Sequence, residues 1–296
     1  MELNLEVVPA PPRAAASVVM VRDTAQGLEV FLIRRHDRSD VLAGAHVFPG
    51  GKIDPHDRSH DSRALLASPA QGLAACLNEA GLDPQTAASV YLAAIRETFE
   101  ESGVLLARGA RADHAAQATA LVRAGLRFDQ AVSRLALWLD PAELLPWSRW
   151  ITPRLPMVGN KRFDTRFFIA TLPPGQTARH DNLEASDSVW LRPRDALQSY
   201  WNGTIALAPP QIMTLAHLSH YPTVAQVLAA GRARPPALIE PEPIDAGGDR
   251  VVCYPGDERH SRATRVMPGP TRLSYRHRRF EPMGGFDGLF TPTTGI

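Results

Sequence analysis

The sequence predicts an α+β fold, in which strand-like and helical segments both occur along the chain. Two apolar segments at residues 15–22 and 28–34 flank a short polar turn and predict a pair of adjacent strands. A long amphipathic helix that ends at Gly103 follows them. Further strands are predicted at 147–152, 163–172 and 188–191, and further helices at 193–200, 209–219 and 223–230.

The long helix has recognisable start and stop signals. Asp83-Pro84 supplies an N-cap side chain and then a proline at the first helical position, where its missing N–H is harmless. Gly103 is a natural C-terminal stop. The apolar run at residues 104–106 then predicts a strand directly after the helix.

One face of this helix is acidic. Glu97, Glu100 and Glu101 are spaced i, i+3 and i+4, so they share a narrow strip of the helix surface. Like charges at this spacing destabilise a helix unless a cation lies among them. Arg96 forms an i, i+4 pair with Glu100, and hard divalent cations such as Mg²⁺ favour carboxylate oxygens. The helix alone is compatible with a metal site or with a solvated acidic surface.

The remaining segments are predicted more coarsely. A short helix is expected at residues 71–80, ended by Gly81, and a longer helix at 112–126. Residues 128–140 are compatible with a helix or a strand. Residues 235–296 are rich in Pro, Gly and Arg, and we expect them to pack on the core or on a second subunit.

Composition argues against several classes of function. The chain has 296 residues and a formal net charge of +1, which gives no global attraction to nucleic acid or to acidic membranes. No segment has the apolar length of a membrane span or the pattern of a signal peptide. Cys76 and Cys253 are too few for a disulfide framework. We therefore expect a cytoplasmic protein without nucleic-acid or membrane partners.

A glycine pair upstream of the acidic helix completes a recognisable signature, which resembles that of the Nudix hydrolases. The matching residues are Gly51, Arg96, Glu97, Glu100, Glu101 and Gly103. Asp57 stands where the signature has its middle Glu, and 38 residues separate it from Arg96 where the signature has seven. The branch of coenzyme A diphosphatase-like Nudix proteins carries an insertion at this place. Segments 45–51, 150–153 and 162–168 extend the resemblance to that branch.

The resemblance implies a Nudix fold, in which helices sandwich a mixed sheet. It implies a Nudix domain at residues 13–232, with a helical insertion at about 58–88 inside the signature. Residues 233–296 would form a C-terminal extension that packs on the core. Many family members form dimers, so the resemblance leaves a homodimer as one of the alternatives for the oligomeric state.

The resemblance also implies roles at the site. Glu97, Glu100 and Glu101 are expected to bind Mg²⁺ or Mn²⁺, with Glu97 and Glu100 central to catalysis and Arg96 orienting them. The loop at Gly50-Gly51 is expected to offer a backbone carbonyl and to lie against the substrate.

A more distant acid often acts as the general base in this family. Glu184 is the first candidate here, and Asp181 and Asp187 are alternatives. Asp57 is expected to be an ordinary surface residue.

Substrate contacts are predicted by the same resemblance. Arg35 and Gly44 match two positions of the coenzyme A-cleaving enzymes, whereas Asp40 replaces an Arg at a third. Phosphate recognition could instead come from other arginines, because guanidinium groups bind phosphate bidentately. These candidates are Arg34, Arg38, Arg162 and Arg166.

The predicted function is a divalent-metal-dependent diphosphatase that acts on a small nucleotide-type substrate. Coenzyme A or acyl-coenzyme A is the leading substrate, which would be cut to 3′,5′-ADP and (acyl-)phosphopantetheine. ADP-ribose, NADH and other nucleotides are the alternatives within the enzyme class. A Nudix-like sensor that binds a nucleotide without cleaving it is the alternative from another class.

Overall fold

A computed structural model describes residue 4 and residues 6–39, 41–181, 185–246 and 249–291. The strands are β1 (Arg13–Thr24), β2 (Gly27–Arg35), β3 (His46–Val47), β4 (Gly50–Lys52), β5 (Leu145–Ile151), β6 (Phe163–Thr171), β7 (Ala185–Leu191), β8 (Ala237–Ile239), β9 (Glu242–Ala246), β10 (Asp249–Cys253), β11 (Arg272–Arg276) and β12 (Arg279–Glu281). The helices are α1 (His60–Ala64), α2 (Ala70–Leu77), α3 (Pro84–Ser102), α4 (Ala112–Arg123), α5 (Phe128–Arg134), α6 (Pro193–Trp201), α7 (Pro209–Leu218) and α8 (Val224–Arg232).

In the described part of the chain, the main sheet is mixed and has eight strands. Its central order is β3-β2-β1-β6-β5-β8, with β4 also paired to β1 and β7 paired to β2. The β1–β6 and β5–β8 pairs are parallel, whereas β1–β2 and β5–β6 are antiparallel. Strands β9 to β12 form a second, antiparallel sheet in the order β12-β11-β10-β9.

Helices cover both faces of the main sheet, because successive side chains of a strand point to opposite sides. On β1, Val18 and Met20 belong to the core that includes α3, whereas Val19 and Val21 belong to the core that includes α6 and α7. The predicted α+β class with a mixed, helix-covered sheet is confirmed.

Helix α3 has the predicted boundaries. The Asp83 carboxylate accepts a hydrogen bond from the Thr86 N–H at 2.8 Å, and Pro84 takes the first helical position. Gly103 ends the helix in the left-handed conformation at φ 71°. Most of the helix is buried against β1, so its orientation in the protein is fixed by packing.

The prediction of a strand at residues 104–106 is wrong. Val104 to Leu106 are buried but belong to no strand. The side-chain amide of Gln176 accepts from the Leu105 N–H at 2.8 Å and donates to the Leu105 carbonyl at 3.0 Å. One amide side chain therefore satisfies the peptide groups for which a strand partner would be needed.

The predicted end of the helix at 71–80 is also wrong. Helix α2 ends at Leu77, because Asn78 adopts the left-handed conformation at φ 52° before Gly81 is reached. Asn tolerates this conformation better than most residues. In residues 128–140 a short helix, α5, is followed by Leu139, which bridges to Leu66 and Ala107.

The chain beyond α8 contacts the core. Strand β8 extends the main sheet beside β5, and Val252 and Leu273 of the second sheet are buried in the same core as α6 and α7. The Tyr200 hydroxyl donates to the Phe280 carbonyl at 3.1 Å. The proposed division at residue 232 remains a prediction. No helix among the described residues is long and apolar enough to cross a bilayer.

Candidate functional site

A cleft of about 790 Å³ lies where β1, β4, β6 and α3 meet. Glu97 and Glu100 line one part of it, together with Gly50 and Gly51. Basic side chains of Arg and Lys line much of the rest: Arg13, Arg35, Arg38, Lys52, Arg96 and Lys161. The cleft therefore combines carboxylates suited to a cation with cations suited to phosphates.

The glycine pair allows α3 to lie close to β4. A Cβ atom on Gly51 would lie 2.3 Å from Oε1 of Glu97, and one on Gly50 would lie 2.3 Å from the Ala16 carbonyl oxygen. The Gly50 N–H donates to Oε2 of Glu101 at 2.7 Å. A Cβ at Gly50 would collide with backbone and one at Gly51 would displace the Glu97 carboxylate, so the pair Gly50-Gly51 lets the loop and the acidic helix face come together.

Arg96 lies among the acidic side chains of the site. Its Nη1 lies 3.0 Å from Oε1 of Glu97 and 2.8 Å from Oε2 of Glu100, and its Nη2 donates to the Lys52 carbonyl at 3.1 Å. Burial disfavours its charge, but the hydrogen bonds to Asp57 and the neighbouring carboxylates outweigh that effect and raise the pKa of Arg96. The guanidinium is thus permanently charged and fixes two of the glutamates.

Asp57 is a partner of Arg96, and its expected surface role is wrong. Its side chain is 3% exposed, and it accepts from Nε and Nη2 of Arg96 at 2.9 and 2.8 Å. Its Oδ2 also accepts from the Asp54 N–H at 2.8 Å. The fork of the guanidinium matches a carboxylate, so this pair fixes the start of the insertion against α3. The position of Asp57 in the signature was the signal that could have revealed this role.

The donor set fits a hard divalent cation in its chemistry. Glu97 and Glu100 both line the cleft, and the Glu97 carboxylate lies in a cradle that a Cβ at Gly51 would fill. Glu101 is 3% exposed and lies behind the glycine loop, where it binds the Gly50 N–H. Within the described ranges, no group of three or more His, Cys, Asp or Glu side chains is already arranged around a cation position.

Two predicted substrate contacts lie at the end of β2 and on the loop that leads to β3. Arg35 lines the cleft, and its Nε donates to the Val41 carbonyl at 2.9 Å. Gly44 has φ 69°, and a Cβ there would lie 3.0 Å from Oδ1 of Asp37. Gly44 is not among the residues that line the cleft, and it lies beside Asp37, which pairs with Arg34 at 2.6 Å.

The structure places Arg162 and Arg166 away from the cleft, in contrast to their predicted role. Arg162 donates to the carbonyls of Thr152 and Ala10, each at 3.0 Å. Arg166 is 5% exposed, and its Nη2 lies 2.6 Å from Glu79. Strand alternation explains the error, because Phe163, Thr165 and Phe167 of β6 line the cleft and Arg166 points to the opposite face.

The candidates for the general base remain predictions. Glu184 and Asp40 lie outside the described residues. Asp187 is exposed on β7, where it is the register partner of Arg34, and the Asp181 carboxylate accepts from the Ala185 N–H at 3.4 Å. Strand β7 begins at Ala185 opposite Arg35, which lines the cleft.

Three cleft residues had no local sequence signal. Arg13 begins β1, Lys161 precedes β6, and Gln211 lies in the first turn of α7, yet all three line the cleft. The pairing of β1 with β6 brings the first two together from positions far apart in the chain. Periodicity and spacing within a segment do not report such pairings.

Replacing Gly51 by Ala should lower activity about 100-fold, since a displacement of about 1 Å at a catalytic group can have an effect of that size. The added methyl group would push the Glu97 carboxylate out of its present position. Gly72→Ala is the matched control, because a Cβ at Gly72 meets nothing within 4 Å. Steady-state kinetics of both variants measure the effect, and equal activity of the two would contradict the role given to Gly51.

Comparisons with known proteins agree with this geometry. The sequence model of the NUDT19 Nudix domain matches residues 7–218. "Acyl-coenzyme A diphosphatase NUDT19" of Gallus gallus is 31% identical over 273 residues, which cover 78% of this chain and 72% of that protein. The protein of the same name from Xenopus laevis is 28% identical over 67% of this chain, and the match spans 62% of its own length.

A solved structure supports the same assignment. The NUDIX hydrolase from Alicyclobacillus acidocaldarius is 28% identical, with a TM-score of 0.57 over 75% of this chain and 97% of that one. This likeness confirms the Nudix fold, and the family match covers the glycine pair, the insertion and the acidic helix. The chain therefore belongs to the NUDT19 Nudix domain family of Nudix hydrolases.

Proposed function

We propose that this Nudix hydrolase uses Mg²⁺ or Mn²⁺ to cleave the diphosphate bond of coenzyme A or an acyl-coenzyme A. The products would be 3′,5′-ADP and phosphopantetheine or its acyl derivative. The observation that carries the proposal is the cleft in which the acidic face of α3 meets a wall of Arg and Lys side chains. The names of the relatives from Xenopus laevis, Gallus gallus and Homo sapiens, all called acyl-coenzyme A diphosphatase, support this substrate class.

The acidic part of the cleft would bind the cation. Glu97 and Glu100 would supply carboxylate ligands, with Glu101 as a third ligand, and a carbonyl of Gly50 or Gly51 would complete the set. Nudix hydrolases generally use divalent metal ions. When bound, such an ion neutralises phosphate charge and makes a water molecule more acidic. Arg96 would keep Glu97 and Glu100 in position throughout.

The basic part of the cleft would bind the phosphates. Arg13, Arg35, Lys52 and Lys161 line walls that a diphosphate and the additional 3′-phosphate of coenzyme A could both reach. Hydrolysis consumes one water, breaks one P–O bond of the diphosphate and leaves a phosphate group on each product. A carboxylate from the segment before β7, with Glu184 as the first candidate, would accept the proton of the attacking water.

A substrate panel tests this assignment. Coenzyme A, hexanoyl-coenzyme A, ADP-ribose and NADH are each incubated with the protein and Mg²⁺ or Mn²⁺, and products are separated by chromatography. We expect the highest kcat/KM for the coenzyme A compounds. A higher kcat/KM for ADP-ribose or NADH would contradict the assignment of coenzyme A as the substrate. Tight binding without turnover of any compound would favour a nucleotide sensor.

A further inference from the structure

An apolar pocket, which we call the annex, adjoins the cleft. It has a volume of about 140 Å³ and shares Val41, Leu42, Lys161 and Phe163 with the lining of the cleft. The shared residues place the two spaces side by side. A substrate whose diphosphate lies beside Glu97 could thus extend its other end toward the annex.

The walls of the annex are apolar and fixed by packing. Trp150, Met157, Ala208 and Val252 line it, and each is at most 5% exposed. Val158 lines it from a half-buried position. Thr152 and Lys161 contribute the polar side chains in the described part of the lining.

Several polar groups of the wall are already bonded within the protein. Thr152 donates its N–H to the Phe163 carbonyl at 2.9 Å, and its Oγ1 accepts from the Phe163 N–H at 3.1 Å. The carbonyls of Met157 and Pro156 accept from Asn4 at 3.0 and 3.3 Å. A nucleobase placed here would leave polar edge atoms without partners, whereas a hydrocarbon chain has none to satisfy.

The second sheet contributes part of this wall. Pro241 and Val252 lie beyond residue 218, where the match to the family model ends, and both line the annex. Val252 is 2% exposed and belongs to the core that joins β10 to α7. The chain beyond α8 therefore shapes a space beside the cleft.

We infer that the annex binds the acyl chain of an acyl-coenzyme A and sets the chain length that this enzyme prefers. The inference rests on the proposed function and adds the place where the apolar end of the substrate lies. At about 30 Å³ per water-sized group, the annex holds about four or five carbon atoms. Each methylene that enters it should raise kcat/KM about fourfold, and longer chains should give no further gain.

A chain-length series tests the inference. We measure kcat/KM for coenzyme A and for its acetyl, butanoyl, hexanoyl, octanoyl and decanoyl thioesters. In the native protein we expect the ratio of hexanoyl-coenzyme A to coenzyme A to reach about 250- to 1,000-fold, the product of four or five such steps, and then to level off. A ratio near one, with coenzyme A still cleaved, would contradict the role of the annex in binding the acyl chain and leave the proposed function intact. If no coenzyme A compound is turned over, the proposed function itself is contradicted.

A variant that fills the annex provides the matched experiment. Val158→Phe should lower the ratio of hexanoyl-coenzyme A to coenzyme A at least tenfold. Val122→Phe is the control, because Val122 is also half-buried but lies on α4 away from the annex lining, so its ratio should stay unchanged. An unchanged ratio in Val158→Phe would contradict the inference.

A measurement on the native protein tests the same inference even if Val158→Phe does not fold. Trp150 lines the annex, so binding of 6-bromohexanoyl-coenzyme A should quench its fluorescence more than coenzyme A does. The additional quenching should disappear in Trp150→Phe. Equal quenching by the two compounds in the native protein would place the acyl chain elsewhere.

Discussion

Glu100→Gln should lower kcat by about 10²- to 10³-fold, the range typical of losing one charge-stabilising group at an active site. Glu100 lines the cleft and pairs with Nη1 of Arg96 at 2.8 Å. The amide keeps the shape of the side chain and can still accept from Arg96, but it removes the negative charge that a divalent cation would need. The expected effect is therefore on activity, with the fold retained.

Single-turnover and steady-state kinetics with Mg²⁺ measure this change. The control is Glu143→Gln, which makes the same replacement at an exposed position of the turn before β5. Thermal unfolding of both variants should match that of the native protein within a few degrees. If Glu100→Gln retained more than a tenth of native kcat, the role of the acidic face of α3 would be contradicted.

Glu79→Ala should reduce the free energy of unfolding by about 3–5 kcal/mol, as expected when one partner of a buried ion pair is removed. The Glu79 side chain is 9% exposed and its Oε2 lies 2.6 Å from Arg166 and 2.8 Å from Arg149. Asp164 completes the network through Arg149 at 2.8 Å and Arg166 at 2.9 Å. Without Glu79, Arg166 would be a buried cation with one acidic partner fewer.

Urea unfolding followed by circular dichroism measures the change. Asp195→Ala is the control, because the Arg192–Asp195 pair has the same short distance, 2.6 Å, but both side chains are nearly half exposed. Exposed pairs contribute about 0–1 kcal/mol. Equal losses in the two variants would show that Glu79 does not anchor the insertion to the sheet.

Local sequence signals were sufficient for the elements that carry the site. Asp83 and Gly103 gave the limits of α3, and the spacing of the glutamates gave its acidic face. The Gly50-Gly51 pair marked the loop that was expected to lie against the substrate, and in the structure a Cβ atom at Gly50 or Gly51 would collide with Ala16 or Glu97. These features depend on neighbours in sequence or on a motif, so one sequence suffices.

Features that depend on distant partners were missed. Arg166 and Glu79 are 87 residues apart, and Leu105 and Gln176 are 71 apart, so neither pairing leaves a local pattern. Asp57 lies 39 residues from Arg96 and looks like an ordinary polar residue of a long insertion. In each case one buried polar group requires a partner, and only the folded chain identifies it.

The most direct test of the account is the metal-dependent release of 3′,5′-ADP from coenzyme A by the native protein. The products are identified by mass spectrometry after incubation with Mg²⁺, with Mn²⁺ or with EDTA. We expect equal amounts of 3′,5′-ADP and phosphopantetheine with either metal ion, and neither product in EDTA. Intact coenzyme A in the presence of both metals, or the same rate of cleavage in EDTA, would contradict the account.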